Sequence, residues 1–155
     1  LLALHRIQLS GILTPRTVLF TLGETQTVGE ALEEHAELPF SRIPVHGGAP
    51  DRITGYVTRA DVYHAHARGR PDTPLRKLRR EMTAIPELAT VRDAMRQMLD
   101  QNEQMLLVVD EFGGVEGVVT LEDAVETLLG VEITDETDPV EDLQALARLI
   151  AERRG

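Results

Sequence analysis

No cysteine occurs in the 155-residue chain, which excludes a disulfide framework and thiolate metal sites. A thiol-free sequence fits a reducing compartment. Tryptophan is also absent, and aromatic residues make up only 3% of the chain, although hydrophobic residues reach 42%. The core must therefore be aliphatic, built from Leu, Val, Ile and Ala, and the chain carries too much apolar character to stay disordered. Long apolar runs are missing: nothing approaches the roughly 20 residues needed to span a bilayer. Leu1-Leu2-Ala3-Leu4 runs into polar residues without a basic leader and makes a poor signal peptide. The opening on Leu1 rather than Met suggests a piece of a longer protein. Positive charge is scarce, with 16 Lys and Arg against 26 Asp and Glu for a net charge of -10. This argues against nonspecific binding of nucleic acid or an anionic membrane. A nucleotide would need local basic groups, helix N-termini or a divalent cation to offset its charge.

What the chain does have is a repeat. One stretch runs from Thr27 to about His66 and another from Thr90 to about Leu129. Each opens on Thr-Val with an acidic residue three positions after the Thr: Thr27-Val28-Gly29-Glu30-Ala31 and Thr90-Val91-Arg92-Asp93-Ala94. Each later reaches Gly-x-Val-Thr-x-x-Asp, as Gly55-Tyr56-Val57-Thr58-Arg59-Ala60-Asp61 and Gly117-Val118-Val119-Thr120-Leu121-Glu122-Asp123. The offset of about 63 residues exceeds common solenoid periods, so two copies predict a pseudo-symmetric pair.

Within the second copy Val91, Ala94, Met95, Met98 and Leu99 fall at helical spacing. Leu106 to Val109 reads as a buried strand, Asp110-Glu111-Phe112-Gly113-Gly114 as a turn and Val115 to Val119 as the returning strand. Leu121, Ala124, Val125, Leu128 and Leu129 form a second helical stripe. The first copy matches, with a helix near Val28–Ala36, strands near Arg42–Val45 and Ile53–Thr58, and a following helix. The unit is helix–strand–strand–helix with a short leading strand. Pro71 to Pro74 falls in the connection, and a short helix is expected through Leu75–Glu81. Beyond Val131 an acidic stretch precedes an amphipathic helix carrying Val140, Leu143, Ala147 and Ile150.

This repeated unit resembles the CBS domain, and two copies resemble the CBS pair known as a Bateman module. Ile12-Leu13-Thr14-Pro15-Arg16, Ser41-Arg42-Ile43-Pro44-Val45, Val108-Val109-Asp110-Glu111-Phe112-Gly113-Gly114 and Val119-Thr120-Leu121-Glu122-Asp123, in this order, are similar to the CNNM/CorC/HlyC family of magnesium and cobalt efflux (hemolysin-like) proteins. His46 departs from it, since an aromatic is common there. The resemblance implies an α/β fold of tandem CBS repeats packed about a pseudo-twofold axis. It also implies a homodimer, an N-terminal transmembrane domain in the parent protein, and a place on the cytoplasmic face of the inner membrane. The expected organisation is a linker or helix over 1–10, a first repeat over 11–70, a connection over 71–81, a second repeat over 82–131, and an acidic segment with a C-terminal helix over 132–155. The family's further C-terminal domain has no counterpart in this sequence, which fits either a short-form member or a truncated chain.

The expected ligand is ATP with Mg2+, with AMP or ADP as alternatives. A carboxylate that accepts from both ribose hydroxyls clamps a sugar, and Asp123 sits one turn beyond Thr120 at a helix start. The resemblance assigns Thr120 and Asp123 to the main nucleotide site. It adds Thr14 beside the adenine, Phe40 as a stacking face, Arg42 on the polyphosphate, and Ile43 and Pro44 as apolar lining, with Arg16 a lesser phosphate candidate. Thr58 and Asp61 would form a second site. Plainer readings stand beside these: both Thr/Asp pairs as helix caps, Arg42 in an ordinary ion pair, and Phe40 in the core.

Enzyme signals fail. Asp61, His64 and His66 have poor spacing for a metal site, and no metal ligands are assigned. No P-loop occurs, and Asp110-Glu111-Phe112-Gly113-Gly114 lacks the flanking kinase motifs. The acidic stretch Asp135, Glu136, Asp138, Glu141 and Asp142 reads as a solvated run or a weak magnesium binder. The chain is expected to be a nucleotide-sensing module of a membrane ion-transport protein and not an enzyme. The rivals are a dimerisation module that binds no nucleotide and a metal-dependent hydrolase.

Overall fold

In the computed structural model, residues 7–134 and Arg148 are described. The expected acidic segment and C-terminal helix fall outside them, apart from Arg148 and the residues through Thr134. In chain order the elements are β1 (Thr14–Pro15), β2 (Leu22–Gly23), α1 (Val28–Glu34), β3 (Arg42–His46), β4 (Ile53–Thr58), α2 (Arg59–Ala67), β5 (Ala84–Pro86), α3 (Val91–Gln101), β6 (Met105–Val109), β7 (Val115–Thr120) and α4 (Leu121–Thr134), with 3-10 turns at Leu9–Gly11, Arg16–Val18 and Leu75–Lys77. The fold is α/β. Among the described residues no helix is long and apolar enough to cross a membrane.

Among the described residues the backbone forms two compact units, one of residues 18–82 and one joining residues 7–17 with those from Thr83 onward. In the unit of residues 18–82 the sheet order is β2-β3-β4. β2 runs parallel to β3, and β3 pairs antiparallel with β4 from Arg42↔Thr58 to His46↔Ile53. Helix α1 begins where Thr27 accepts from the Glu30 amide at 3.2 Å while Glu30 accepts from the Thr27 amide, a capping box that satisfies two otherwise orphaned donors. Strand alternation sends Ile43, Val45 and Val57 to the helix-covered face, where they join Leu22, Val28, Ala31, Val62 and Leu75 in a continuous core.

The other unit repeats this plan as β5-β6-β7 and adds β1 outside β7. Thr90 and Asp93 form the matching capping box on α3, and Asn102 closes that helix at φ 55°, a left-handed position that Asn tolerates. The core gathers Leu9, Ile85, Val91, Ala94, Met98, Leu106, Val108, Val119, Ala124 and Leu128. Even the irregularities repeat: the ladder register shifts at Val45/His46 in one hairpin and at Val108/Val109 in the other. The expected leading strands are β2 and β5.

The edge of each sheet is built from a segment outside the helix–strand–strand–helix run. Residues 7–15 serve one unit and residues 73–80 the other. Val91 donates to Ile7 O at 2.9 Å and Val28 to Thr73 O at 2.8 Å. Leu9 and Leu75 are both fully buried. Thr14 lies opposite Val118, and Arg80 lies opposite Tyr56. Residues 11–17, expected to open the first repeat, therefore pack with the second, because β1 completes the edge of β7. The expected helix through Leu75–Glu81 stops after the 3-10 turn, because the Arg80 amide and carbonyl both bond to Tyr56, at 2.8 and 3.1 Å, which holds the backbone extended.

Candidate functional site

The glycine of the repeated motif makes these edges possible. A Cβ on Gly117 would collide with the Thr14 carbonyl, and one on Gly55 would lie 2.5 Å from the Arg80 carbonyl. Three residues further on, the strand ends at a threonine that starts a helix. The Asp123 amide donates to Thr120 Oγ1 at 3.1 Å, and the Thr120 amide reaches Asp123 Oδ2 at 3.4 Å. The capping arrangement expected as the plain reading is thus present. It does not exhaust either side chain. Thr120 accepts through one lone pair and keeps its hydroxyl proton. Asp123 keeps Oδ1 without a partner among the described residues.

Thr14 stands opposite Val118, and residues two apart on a strand share a face. Thr14, Val118 and Thr120 therefore line one side of the sheet, opposite the side where Val119 enters the core. The structure brings Thr14, Thr120 and Asp123 into one constellation. A carboxylate here disfavours phosphate and suits a pair of hydroxyls.

The unit of residues 18–82 carries Phe40, Arg42, Ile43 and Pro44, and the other unit carries Arg16. Phe40 is exposed, and its ring centroid lies 6.1 Å from that of Phe20 at a tilted angle; it is a free face and not core. Arg42 sits opposite Thr58 and makes no ion pair among the described residues. Pro44, on the same face as Arg42, is buried, whereas Ile43 is fully buried on the helix side. Ile43 thus spends its side chain on the core, and only its backbone is available for lining. Arg16 is exposed in a 3-10 turn.

Thr58 caps α2 as Thr120 caps α4, with the Asp61 amide donating to Thr58 Oγ1 at 3.1 Å. Here the likeness ends, because Arg80 donates to Asp61 Oδ2 at 2.9 Å. The hydrogen bond and charge of Asp61, and after them Tyr56, hold the Arg80 guanidinium above its ordinary range. Sequence reasoning passed over Arg80; the available signal was the basic Arg79-Arg80 pair at the end of a supposed connection. Among the described residues no three His, Asp or Glu side chains converge on a metal position, so the Asp61, His64 and His66 pattern gathers no such group.

The CBS domain family matches residues 8–68 and 75–130, and the chain belongs to it as a CBS domain pair. Over 138 residues it is 35% identical to the UPF0053 protein sll1254 of Synechocystis, covering 88% of this chain and 39% of that protein. Over 132 residues it is 34% identical to the magnesium and cobalt efflux protein CorC of Escherichia coli, covering 85% and 45%. The chain thus spans less than half the length of these relatives. Among solved structures, the CBS domain of a bacterial CNNM/CorC family Mg2+ transporter in complex with ATP is similar, with a TM-score of 0.77 and 27% identity, covering 83% of this chain and 92% of that one.

Proposed function

We propose that the chain is the regulatory adenine-nucleotide-binding module of a membrane ion-transport protein of the magnesium and cobalt efflux type. It takes ATP with Mg2+, acts as a homodimer on the cytoplasmic side of the membrane, and does no chemistry on the nucleotide. Binding would favour one arrangement of the assembly over another and so bias the transport domain. The observation that carries this reading is the Thr14, Thr120 and Asp123 constellation, with a carboxylate oxygen left over at a helix start; the similar ATP-bound CBS domain supports it. Thr120 and Asp123 would hold the ribose hydroxyls. Arg42 is the candidate for the phosphates, Phe40 for the base, and Pro44 for apolar contact.

The dimerisation module that binds no nucleotide is the second reading. One observation favours it: Thr120 and Asp123 already serve each other as a helix cap.

Calorimetric titration with ATP, with and without Mg2+, with AMP in parallel, separates the two. Saturable binding that strengthens with Mg2+ is expected. Asp123→Ala should weaken it about 10- to 100-fold, the worth of one or two charge-assisted hydrogen bonds. No heat and no thermal shift with any nucleotide would leave the dimerisation module as the function.

A further inference from the structure

We propose that Arg80 closes the cleft formed by Thr58 and Asp61, so that each chain takes one nucleotide where its repeat would offer two. The inference rests on the ribose-binding reading of Thr120 and Asp123 and assigns the choice between the two clefts to particular side chains.

The two clefts can be compared position by position. Gly55 and Gly117, Thr58 and Thr120, and Asp61 and Asp123 correspond through the repeated motif. Tyr56 then corresponds to Val118, and the residues opposite them are Arg80 and Thr14. One face carries Thr14, Val118, Thr120 and Asp123, and its equivalent carries Arg80, Tyr56, Thr58 and Asp61, with Val118 and Tyr56 both buried. Both threonines cap their helices with the same bond, at 3.1 Å, so the backbone frame is the same. The contents differ.

Each carboxylate keeps one oxygen without a partner among the described residues; the other takes the Thr120 amide at 3.4 Å in Asp123 and the Arg80 guanidinium at 2.9 Å in Asp61. A ribose diol donates two hydroxyl protons and fills both carboxylate oxygens, so at Asp61 it competes with the Arg80 guanidinium for Oδ2, and at Asp123 only with a long amide contact. Arg80 offers donors only and cannot replace the acceptor it takes away. Its long side chain and the Tyr56 ring also occupy the face where the other cleft has only Thr14 and Val118. An exposed ion pair is worth little by itself. The exclusion therefore comes from charge and bulk together, and two substitutions should relieve it.

The test transplants one cleft's residues into the other. The full chain carrying Arg80→Thr with Tyr56→Val is titrated with ATP and Mg2+ beside the wild type, the Asp123→Ala variant and the combined triple variant. The expected stoichiometry is one per chain for the wild type and two for the double variant, with the added site surviving Asp123→Ala and disappearing on Asp61→Ala. A wild type that already binds two overturns the proposal, as does a double variant of unchanged thermal stability that still binds one. If the wild type binds none, the nucleotide reading of Asp123 has failed. The double variant then decides this inference separately: Asp61-dependent binding supports it and none overturns it. Arg80→Thr alone guards against a folding defect from Tyr56→Val, and should raise affinity at the closed cleft several-fold.

Discussion

Gly117 meets the carbonyl of Thr14 with no space for a side chain between them. That contact fixes how closely β1 can approach β7, and with it the position of Thr14 beside Thr120. Backbone cannot swing away as a flexible side chain can. Gly117→Ala should therefore cost about 1–3 kcal/mol by overpacking and, under the proposed function, weaken ATP binding as well. Gly130→Ala is the control: nothing lies within 4 Å of a Cβ there, and alanine in a helix should add about 0.5–1 kcal/mol. Urea denaturation of both variants checks the opposite signs.

Glu24 is held by Thr54, which donates to it at 2.7 Å, and by the Arg79 guanidinium. The Thr54 hydrogen bond, with help from Arg79 and Arg52, holds its carboxyl below the usual range although burial pushes the other way. A carboxylate with a lowered folded pKa contributes stability above its unfolded pKa, near 4.3, and that contribution fades as pH falls through the folded value. Denaturation midpoints from pH 7 down to pH 3 should fall less steeply in Glu24→Gln than in the wild type. Parallel curves would remove Glu24 from the account.

Glu87 behaves in the opposite sense. Burial raises its pKa first, and the neighbouring Glu116, Asp110 and Glu111 raise it further. Its charged form is disfavoured in the fold, so its contribution is most favourable below the unfolded pKa and is lost as pH rises through the folded one. Glu87→Gln should raise the melting temperature at pH 7 and leave it nearly unchanged at pH 4. A variant less stable than wild type at pH 7 would contradict this.

Met98 is fully buried in the core beneath α3 and α4. Met98→Ala should cost about 2–5 kcal/mol, measured by equilibrium unfolding. Leu88→Ala, at a side chain 70% exposed, should change stability by less than about 0.5 kcal/mol.

The features legible in the sequence are local ones. A cap needs only Thr and an acid three residues on, and a strand or helix shows its period within a few turns, so Thr27, Thr90, Thr58 and Thr120 could be read directly. The buried side of Ile43 was legible too: alternation places it with Val45 and Val57 and away from Arg42 and Pro44. That signal ran against a pocket role for the Ile43 side chain. The edges were not legible. β1 is two residues long, too short to show a period, and its partner lies in a distant part of the chain. Arg80 looked like part of a linker because its meaning comes from Asp61, with which the fold pairs it.

The pairing of Thr14 with Val118 also sets an order of assembly. Residues 18–82 form a unit from one uninterrupted stretch, so their contacts can close soon after they are made. The ladder between β1 and β7 joins residues about a hundred positions apart and carries a larger loop-closure penalty. On a ribosome, Thr14 emerges well before Val118 and must wait for β7 before it finds its place. The edge of β7 is thus the final seam of its unit to close, and Thr14 comes to stand beside Thr120 only when that seam has closed.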